Sequence, residues 1–471
     1  MKTGIINIKS VSNTGFRIDP SLHLSEGVKV RSDLPKVPYQ LVKVSDCASR
    51  IFFGNIFSRC FVKSKEFGVT YLAASDTVLA NIETGRYLSK KQANQLNYLI
   101  LDKDWILVTC SGTLGNVTYT NKHFCNKIAT HDLIRIVPSN EIVKRGYLYA
   151  FLAGKYGYNQ ITQSQFGGVV KHINDKQTGS ILLPKFPEDF QIEVDNLIQE
   201  SARLREEAAD ELMVADKILK EKAHLKELSP DDYDYYGPKS YQRQVSCFTR
   251  NIKDIGTTTI NAFNHSERIR KLKGLIKCQL LPLKEILMGG DTFSTGSFPR
   301  VEVKDGYGIM LINQRDIFDT IIRGKYISKR NVNITNLVEY GEVLIAGVGT
   351  LGENETFCRA IFANEDLEGQ LVSGEFIRMK TNENIPSGYL FTWLNSDYGF
   401  RLLRNIQAGT KLCRPIPKLV LEIPVPILDN DTMMEIDRLV RDAHIKRHQA
   451  NQNELRAINM VEQEIEKWNN Q

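Results

Sequence analysis

The eight cysteines of this chain, at 47, 60, 110, 125, 247, 278, 358 and 413, include no Cys-x-x-Cys pair. Thiols scattered in this way suit a reducing compartment and buried free cysteines, and they exclude a zinc ribbon or a disulfide frame. No two prolines are adjacent. The Asn/Asp-Pro-Pro-aromatic element that a methyltransferase of nucleic-acid bases needs is therefore absent. There is no G-x-x-x-x-G-K-[ST] sequence and no His-Glu-x-x-His, which removes the simplest phosphate-loop and zinc-hydrolase readings. Apolar runs are short. The 147–153 patch is among the longest and falls far below the roughly 20 residues that cross a bilayer. Met1–Ser10 lacks a basic segment followed by an apolar one, so no signal peptide is read there. These absences predict a cytoplasmic protein with no metal, no cofactor of its own and no legible catalytic set.

What is present is length, and two long amphipathic runs. At 471 residues, with 42% hydrophobic and 25% charged residues, the chain has ordinary soluble composition and predicts two or three domains. The net charge of +6 permits a nucleic-acid partner without requiring one, since clustering matters more than the total. In 188–228, Val194, Leu197, Ser201, Leu204, Ala208, Leu212, Ala215 and Leu219 recur in alternating steps of three and four. The same rule runs through Ile436, Leu439, Ala443, Ala450, Ile458, Val461, Ile465 and Trp468 of 429–468. Each run predicts a helix about 60 Å long with one narrow apolar seam.

Laid on itself, the chain repeats. At an offset of 242, Gly146-Tyr147-Leu148-Tyr149-Ala150-Phe151-Leu152 meets Gly388-Tyr389-Leu390-Phe391-Thr392-Trp393-Leu394. Tyr156-Gly157-Tyr158 meets Tyr398-Gly399-Phe400, and Glu193-Val194-Asp195 meets Glu435-Ile436-Asp437 inside the long runs. Upstream the offset drifts by a few residues, yet Gly112–Gly115 returns as Gly349–Gly352 and Gly85–Lys90 as Gly324–Lys329. An ordered series of this kind predicts a tandem duplication. The expected architecture is α+β: a mixed α/β unit over 1–187, a helix over 188–228, a linker and second unit over 229–428, and a helix over 429–471. Strands are expected at 105–109, 133–137, 181–183, 342–346 and 375–379, and short buried helices at 147–152 and 389–394. If the long helices pack as an antiparallel coiled coil, the body has a pseudo-two-fold axis. Duplex DNA, with half-sites spaced by helical turns, suits such a body.

Two motifs point elsewhere. Gly347-Val348-Gly349-Thr350-Leu351-Gly352 matches G-x-G-x-x-G, but two carboxylates, Glu353 and Glu355, follow where phosphates would sit. The first glycine also has no counterpart in the sister copy. His444 and His448 stand one helical turn apart, yet Lys446 and Arg447 beside them favour a solvated helix face over a metal site. For nucleic acid the signal is cations and amides at matched places in both halves. In the first half these are Arg59, Lys63, Lys65, Arg86, Lys90, Lys91, Gln163, Gln165, Lys171 and His172. In the second they are Arg300, Lys304, Arg323, Lys325, Lys329, Arg330, Gln407, Lys411 and Arg414. Arg and Gln can read guanine and adenine edges bidentately, whereas Lys mostly neutralises phosphate.

Over nearly the whole chain this organisation resembles the specificity subunit of type I restriction-modification enzymes. The elements that carry the likeness are the paired Gly112–Gly115 and Gly349–Gly352 turns, the 165–173 and 407–416 loops, and the proline-bracketed 184–198 and 424–440 stretches. Members often carry Glu-Gln where the helix begins; here Gln191 and Glu193 stand in one copy and Glu435 alone in the other. The resemblance implies a non-catalytic reader of a bipartite site in double-stranded DNA. It also implies two methyltransferase subunits that hold S-adenosylmethionine and methylate adenine, and an endonuclease/translocase for restriction. Two other readings compete: a self-contained restriction-methylation enzyme with a cryptic site, and a helical scaffold without DNA affinity.

Overall fold

Two buried arginines show how the duplicated sequence becomes duplicated structure. In the computed structural model, Arg135 and Arg378 lie on matching strands, and both are fully enclosed. Burying a guanidinium is costly unless most of its N–H groups find acceptors; in Arg135 the two terminal nitrogens do so and Nε does not. Arg135 donates to the carbonyls of Leu133, Ala129, Thr130 and Leu99. Arg378 instead forms a two-pronged ion pair with Glu342, both contacts at 2.8 Å. The structure describes residues 5–468 except 14–15, 17, 19–22, 25, 113, 164–171, 230–231, 233–247, 257 and 353. Two compact units divide it: residues 1–206 with 449–471, and residues 207–448.

The first unit holds a four-stranded sheet in the order β3-β5-β4-β8, made from Phe61–Val62, Tyr87–Ser89, Gly68–Leu72 and Ile128–Ala129. A second sheet, β2-β9-β6-β7, uses Ala48–Phe52, Leu133–Pro138, Ile106–Thr109 and Val117–Tyr119. β1 (Leu41–Lys43) pairs antiparallel with β10 (Leu182–Pro184). Apolar side chains of the second sheet pack with helices α2 (Arg145–Ala153) and α3 (Lys155–Gln163), which follow α1 (Lys90–Gln95). The long helix α4 (Glu188–Lys222) adds Val194, Ile198 and Ala202 to this core, and Ala457, Val461 and Ile465 come from the other end of the chain. Within the unit these two helical stretches run antiparallel. Glu193 faces Arg456 at 3.6 Å, and Ser201 Oγ donates to the Ala450 carbonyl at 2.8 Å.

The second unit repeats the plan. β11 (Leu280–Pro282) pairs antiparallel with β20 (Pro424–Pro426). The order β13-β12-β16 joins Lys325–Ile327, Ile309–Ile312 and Leu371–Val372, and β15-β14-β17 joins Ala360–Phe362, Val343–Ala346 and Phe376–Met379. One parallel pair recurs at the same place: β4 with β8, and β12 with β16. A hairpin of β18 (Gln407–Ala408) and β19 (Arg414–Pro415) follows helices α5 (Ser387–Asn395) and α6 (Asp397–Asn405). The last helix, α7 (Asn430–Lys467), contributes Met433, Ile436 and Val440 to a core that also holds Ala215 and Leu219 of α4.

Both long helices are shorter than their apolar seams predict. The first ends at Lys222 because His224 adopts φ 51°. The Leu225 amide then bonds the Lys220 carbonyl at 2.8 Å, a left-handed C-terminal cap. The second starts one residue late, with Asp429 as its cap: its carboxylate accepts from the Thr432 amide at 2.9 Å. Gln191, read as important where the helix begins, is buried. It donates to the Phe186 carbonyl at 2.7 Å and accepts from the Lys144 amide at 3.0 Å, so it pins the incoming chain. Its counterpart, Met433, does this by core packing instead.

Candidate nucleic-acid interface

In the first unit the cations of 59–65 and 90–91 are separated by some 30 residues and meet across a strand pair. Phe61 and Val62 pair with Leu88 and Tyr87, and the Ser89 amide donates to the Cys60 carbonyl at 2.9 Å. Gln92, in the first turn of α1, accepts from the Cys60 amide at 2.8 Å and donates to the Ser58 carbonyl at 2.5 Å. This lashing sets Arg59, Lys63 and Lys65 on the segment beside Lys90 and Lys91, and all five are exposed. Sequence placed Arg59, Lys63 and Lys65 ahead of the first strands. In the structure β1 and β2 precede them, because Leu41–Lys43 finds its partner only at 182–184. The Arg59 guanidinium is held by the Tyr71 hydroxyl at 2.6 Å and stands over the Phe57 and Tyr71 rings. Arg86 is half-buried and ion-paired to Asp76; it braces the loop before β5.

The second unit builds the same edge. The Val303 amide donates to the Tyr326 carbonyl at 2.9 Å, and the Ser328 amide to the Val301 carbonyl at 2.9 Å. Arg300 and Lys304 are thereby carried alongside β13 and the turn that bears Lys329 and Arg330. Arg300, Lys304, Arg323, Lys325, Lys329 and Arg330 are all exposed. Lys325 pairs with Glu302 at 2.6 Å, and Arg300 lies over the Phe298 ring.

The amides fare differently. Gln163 is only 6% exposed and Gln407 only 3%, so neither side chain, expected to face bases, is open to solvent in this structure. Gln163 ends α3 and packs against Gly27. Gln407 sits in the β18–β19 hairpin, where its backbone carbonyl accepts from Asn264 at 3.0 Å. Lys411 and Arg414 of that hairpin are exposed. His172 is half-buried, with Nδ1 2.9 Å from Ser111 Oγ. Gln165 and Lys171 lie outside the described residues. Sequence reasoning passed over the exposed aromatics on these edges, Phe61, Phe67 and Tyr307. Their signal was weak, because Phe61 between Cys60 and Val62, and Phe67 and Tyr307 beside glycines, read equally well as core.

Charge is segregated along the chain. Glu188–Lys222 carries eleven acidic and five basic residues, and Asn430–Lys467 carries eight and six. The long helices therefore stand at −8 and the rest of the +6 chain at +14. A polyanion is drawn to the remainder and turned away from the helices.

The other tempting motifs resolve structurally. Among the described residues no helix opens after Gly352, so the G-x-G-x-x-G run is not followed by the helix N-terminus that a pyrophosphate requires. The two Gly-Thr-Leu-Gly turns also differ in backbone. Gly112 and Gly115 have φ of 72° and 86°, whereas Gly349 and Gly352 are not in the left-handed region. His444 is buried rather than solvated, a second correction. Its ring is tilted against Phe362 at 5.0 Å and meets Phe391 edge to face at 5.6 Å. Burial, assisted by the Arg447 charge, holds its pKa well below the usual imidazole range. His448 faces Asp366 at 2.6 Å. Among the seven described cysteines, Cys47, Cys110, Cys358 and Cys413 are buried and Cys60 is exposed.

Comparisons bear on the first of these edges. No curated protein matches the chain. Three solved structures are similar to it over more than nine-tenths of its length. The S subunit of a type I restriction-modification system from M. genitalium shares 12% identity at a TM-score of 0.37, covering 92% of this chain and 96% of that one. The HsdS subunit from Thermoanaerobacter tengcongensis shares 10% at 0.27, covering 91% and 96%. A structure titled for complex assembly and conformational transition of the type I R-M system shares 12% at 0.27, covering 91% and 98%. Residues 58–192 match the family described as the Type I restriction modification DNA specificity domain. The matched stretch runs from the strand edge with Arg59 to the opening of α4, so the similarity to that specificity domain lies within the first unit.

Proposed function

We propose that this protein is a DNA-reading specificity subunit, each unit contacting one half of a bipartite site and the whole directing a partner methyltransferase to adenine. The observation that carries this reading is the strand edge built twice: 58–65 against 87–91, and 300–304 against 325–330, each presenting exposed cations. Every candidate residue of the first unit falls inside the segment matched to the DNA specificity domain. In this reading the chain performs no chemistry. S-adenosylmethionine sits on the partner, and an endonuclease/translocase joins the assembly for restriction.

Partner docking has a structural correlate. Ile192 and Leu455 are exposed on the helical stretches of the first unit, and Met213 and Met434 on those of the second. The offset of 242 that relates the units carries Ile192 onto Met434 and Met213 onto Leu455. The second unit's stretches also expose Val214 and Ile445, but the pair at matched positions recurs on acidic helices in both units and suits two copies of one partner.

Titration of a labelled duplex with the purified chain tests the central claim. Affinity should fall steeply between about 50 and 200 mM salt, with a slope near −0.9 per phosphate neutralised. Binding that ignores salt would favour the scaffold reading. Methyl transfer by the chain alone, with no partner added, would favour the self-contained enzyme.

A further inference from the structure

We propose that Phe67 and Tyr307 are the side chains by which the two units touch DNA bases. The inference rests on the DNA-reading function above and adds to it a specificity-determining residue in each unit. In the first unit the turn after β3 closes when the Phe67 amide donates to the Ser64 carbonyl at 3.1 Å. In the second, the turn after the 301–303 segment closes when the Tyr307 amide donates to the Lys304 carbonyl at 3.1 Å. Each aromatic is followed by a glycine that the fold requires. A Cβ on Gly68 would stand 2.9 Å from the Leu88 carbonyl oxygen, and one on Gly308 2.4 Å from that of Ile327. Both glycines thus lie flat against the neighbouring strand, and both turns are held at the same place on the sheet.

At these equivalent positions the aromatic rings face solvent: Phe67 is 61% exposed and Tyr307 79%. Neither belongs to a core cluster, so packing gives no reason for a large apolar side chain there. A single exposed ring is ordinary at a protein surface, but the same placement in both units, each time beside clustered cations, points to a surface that covers it. The surroundings choose that surface. Lys63 and Lys65 flank Phe67, with Glu66 the one carboxylate in the turn. Lys304 precedes Tyr307, with Asp305 between them; Arg300, Lys329 and Arg330 lie along the adjoining strand segments, where Lys325 is paired to Glu302. Cations around a projecting aromatic ring suit a polyanion with an apolar interior. In duplex DNA the lysines meet backbone phosphates, while the ring reaches a thymine methyl or the face of a partly unstacked base.

The test uses the full chain with its partner methyltransferase. Site preference is read by selection from a randomised duplex pool, then by competition between the selected duplex and duplexes altered in one half. Phe67→Ala should lose about tenfold or more of the discrimination at one half-site and none at the other. Tyr307→Ala should do the reverse, and Tyr307→Phe should retain most of it. Lys65→Ala should lower affinity for all duplexes alike and reduce the salt slope by about one. If wild type selects a site and both alanine variants keep its full discrimination, the assignment of these rings is overturned. If wild type shows no duplex affinity at low salt, the DNA-reading function itself falls.

Discussion

Asp437 Oδ1 accepts a hydrogen bond from the backbone amide of Gly388 at 2.7 Å, tying the long helix α7 to the first turn of α5. Asp195 and Gly146 make the same bond at 2.6 Å in the first unit. The carboxylate satisfies an amide at the start of a helix, which no carbonyl within the helix can reach. Glycine is needed because the helices touch. A Cβ on Gly388 would come within 2.7 Å of the carboxylate oxygen and 3.0 Å of the Asp437 Cα. Gly388→Ala should therefore destabilise the protein by about 1–3 kcal/mol, and Asp437→Ala by a similar amount through the orphaned amide. Urea denaturation followed by circular dichroism measures both. An unchanged midpoint for Gly388→Ala would show that the contact gives way freely.

The two buried arginines predict unequal costs. Arg378→Met would strand the Glu342 carboxylate, which is as fully buried as its partner. Removing one member of such a pair costs about 3–5 kcal/mol. Arg135→Met strands only carbonyl oxygens, for which about 1–3 kcal/mol is expected. Equal losses in chemical denaturation would contradict the assignment of Glu342 as the difference.

Asp319 supplies a pH dependence. Burial first, and the Asp316 carboxylate second, push its pKa up to about 6 against the attraction of Arg315 and Arg323. A carboxyl raised in the folded state holds its proton more tightly there than in the unfolded chain. Its contribution to stability is therefore fully present below about pH 4 and disappears as pH climbs through about 6. Asp319→Asn should flatten the melting temperature profile across that window. A variant that keeps the wild-type slope would place the titration elsewhere.

The exposed apolar pairs on the helices predict stoichiometry. Charging one pair, as Ile192→Asp with Leu455→Asp, should lower the partner methyltransferase from two copies to one. Met213→Asp with Met434→Asp should do the same at the other unit. Native mass spectrometry of the reconstituted complex counts the copies, and duplex affinity should stay at the wild-type value. Two copies retained in both double variants would refute docking at these positions.

Much of the architecture could be read from the residues. The α2 and α5 helices and strands β6, β9, β10, β14 and β17 lie within a residue or two of their apolar runs. Strands of two residues, such as β3, β8 and β16, could not be read. They are too short to show alternation and exist only because a neighbour supplies their hydrogen bonds. The candidate interface was legible as residue types and not as geometry. Arg59 and Lys90 share an edge because Gln92 binds both Ser58 and Cys60, a contact that no spacing rule anticipates.

The sequence by itself determined the duplication and the two long helices. These follow from periodicity and self-similarity, which are local properties of the chain. Only the tertiary structure decided which polar side chains remain available. Arg86 is taken by Asp76, Gln163 and Gln407 are enclosed, and His444 is buried against two phenylalanine rings, while Phe67 and Tyr307 are left in water. The physical reason is that burial depends on partners brought from distant segments, and one residue's own neighbours in the chain do not reveal what will pack against it.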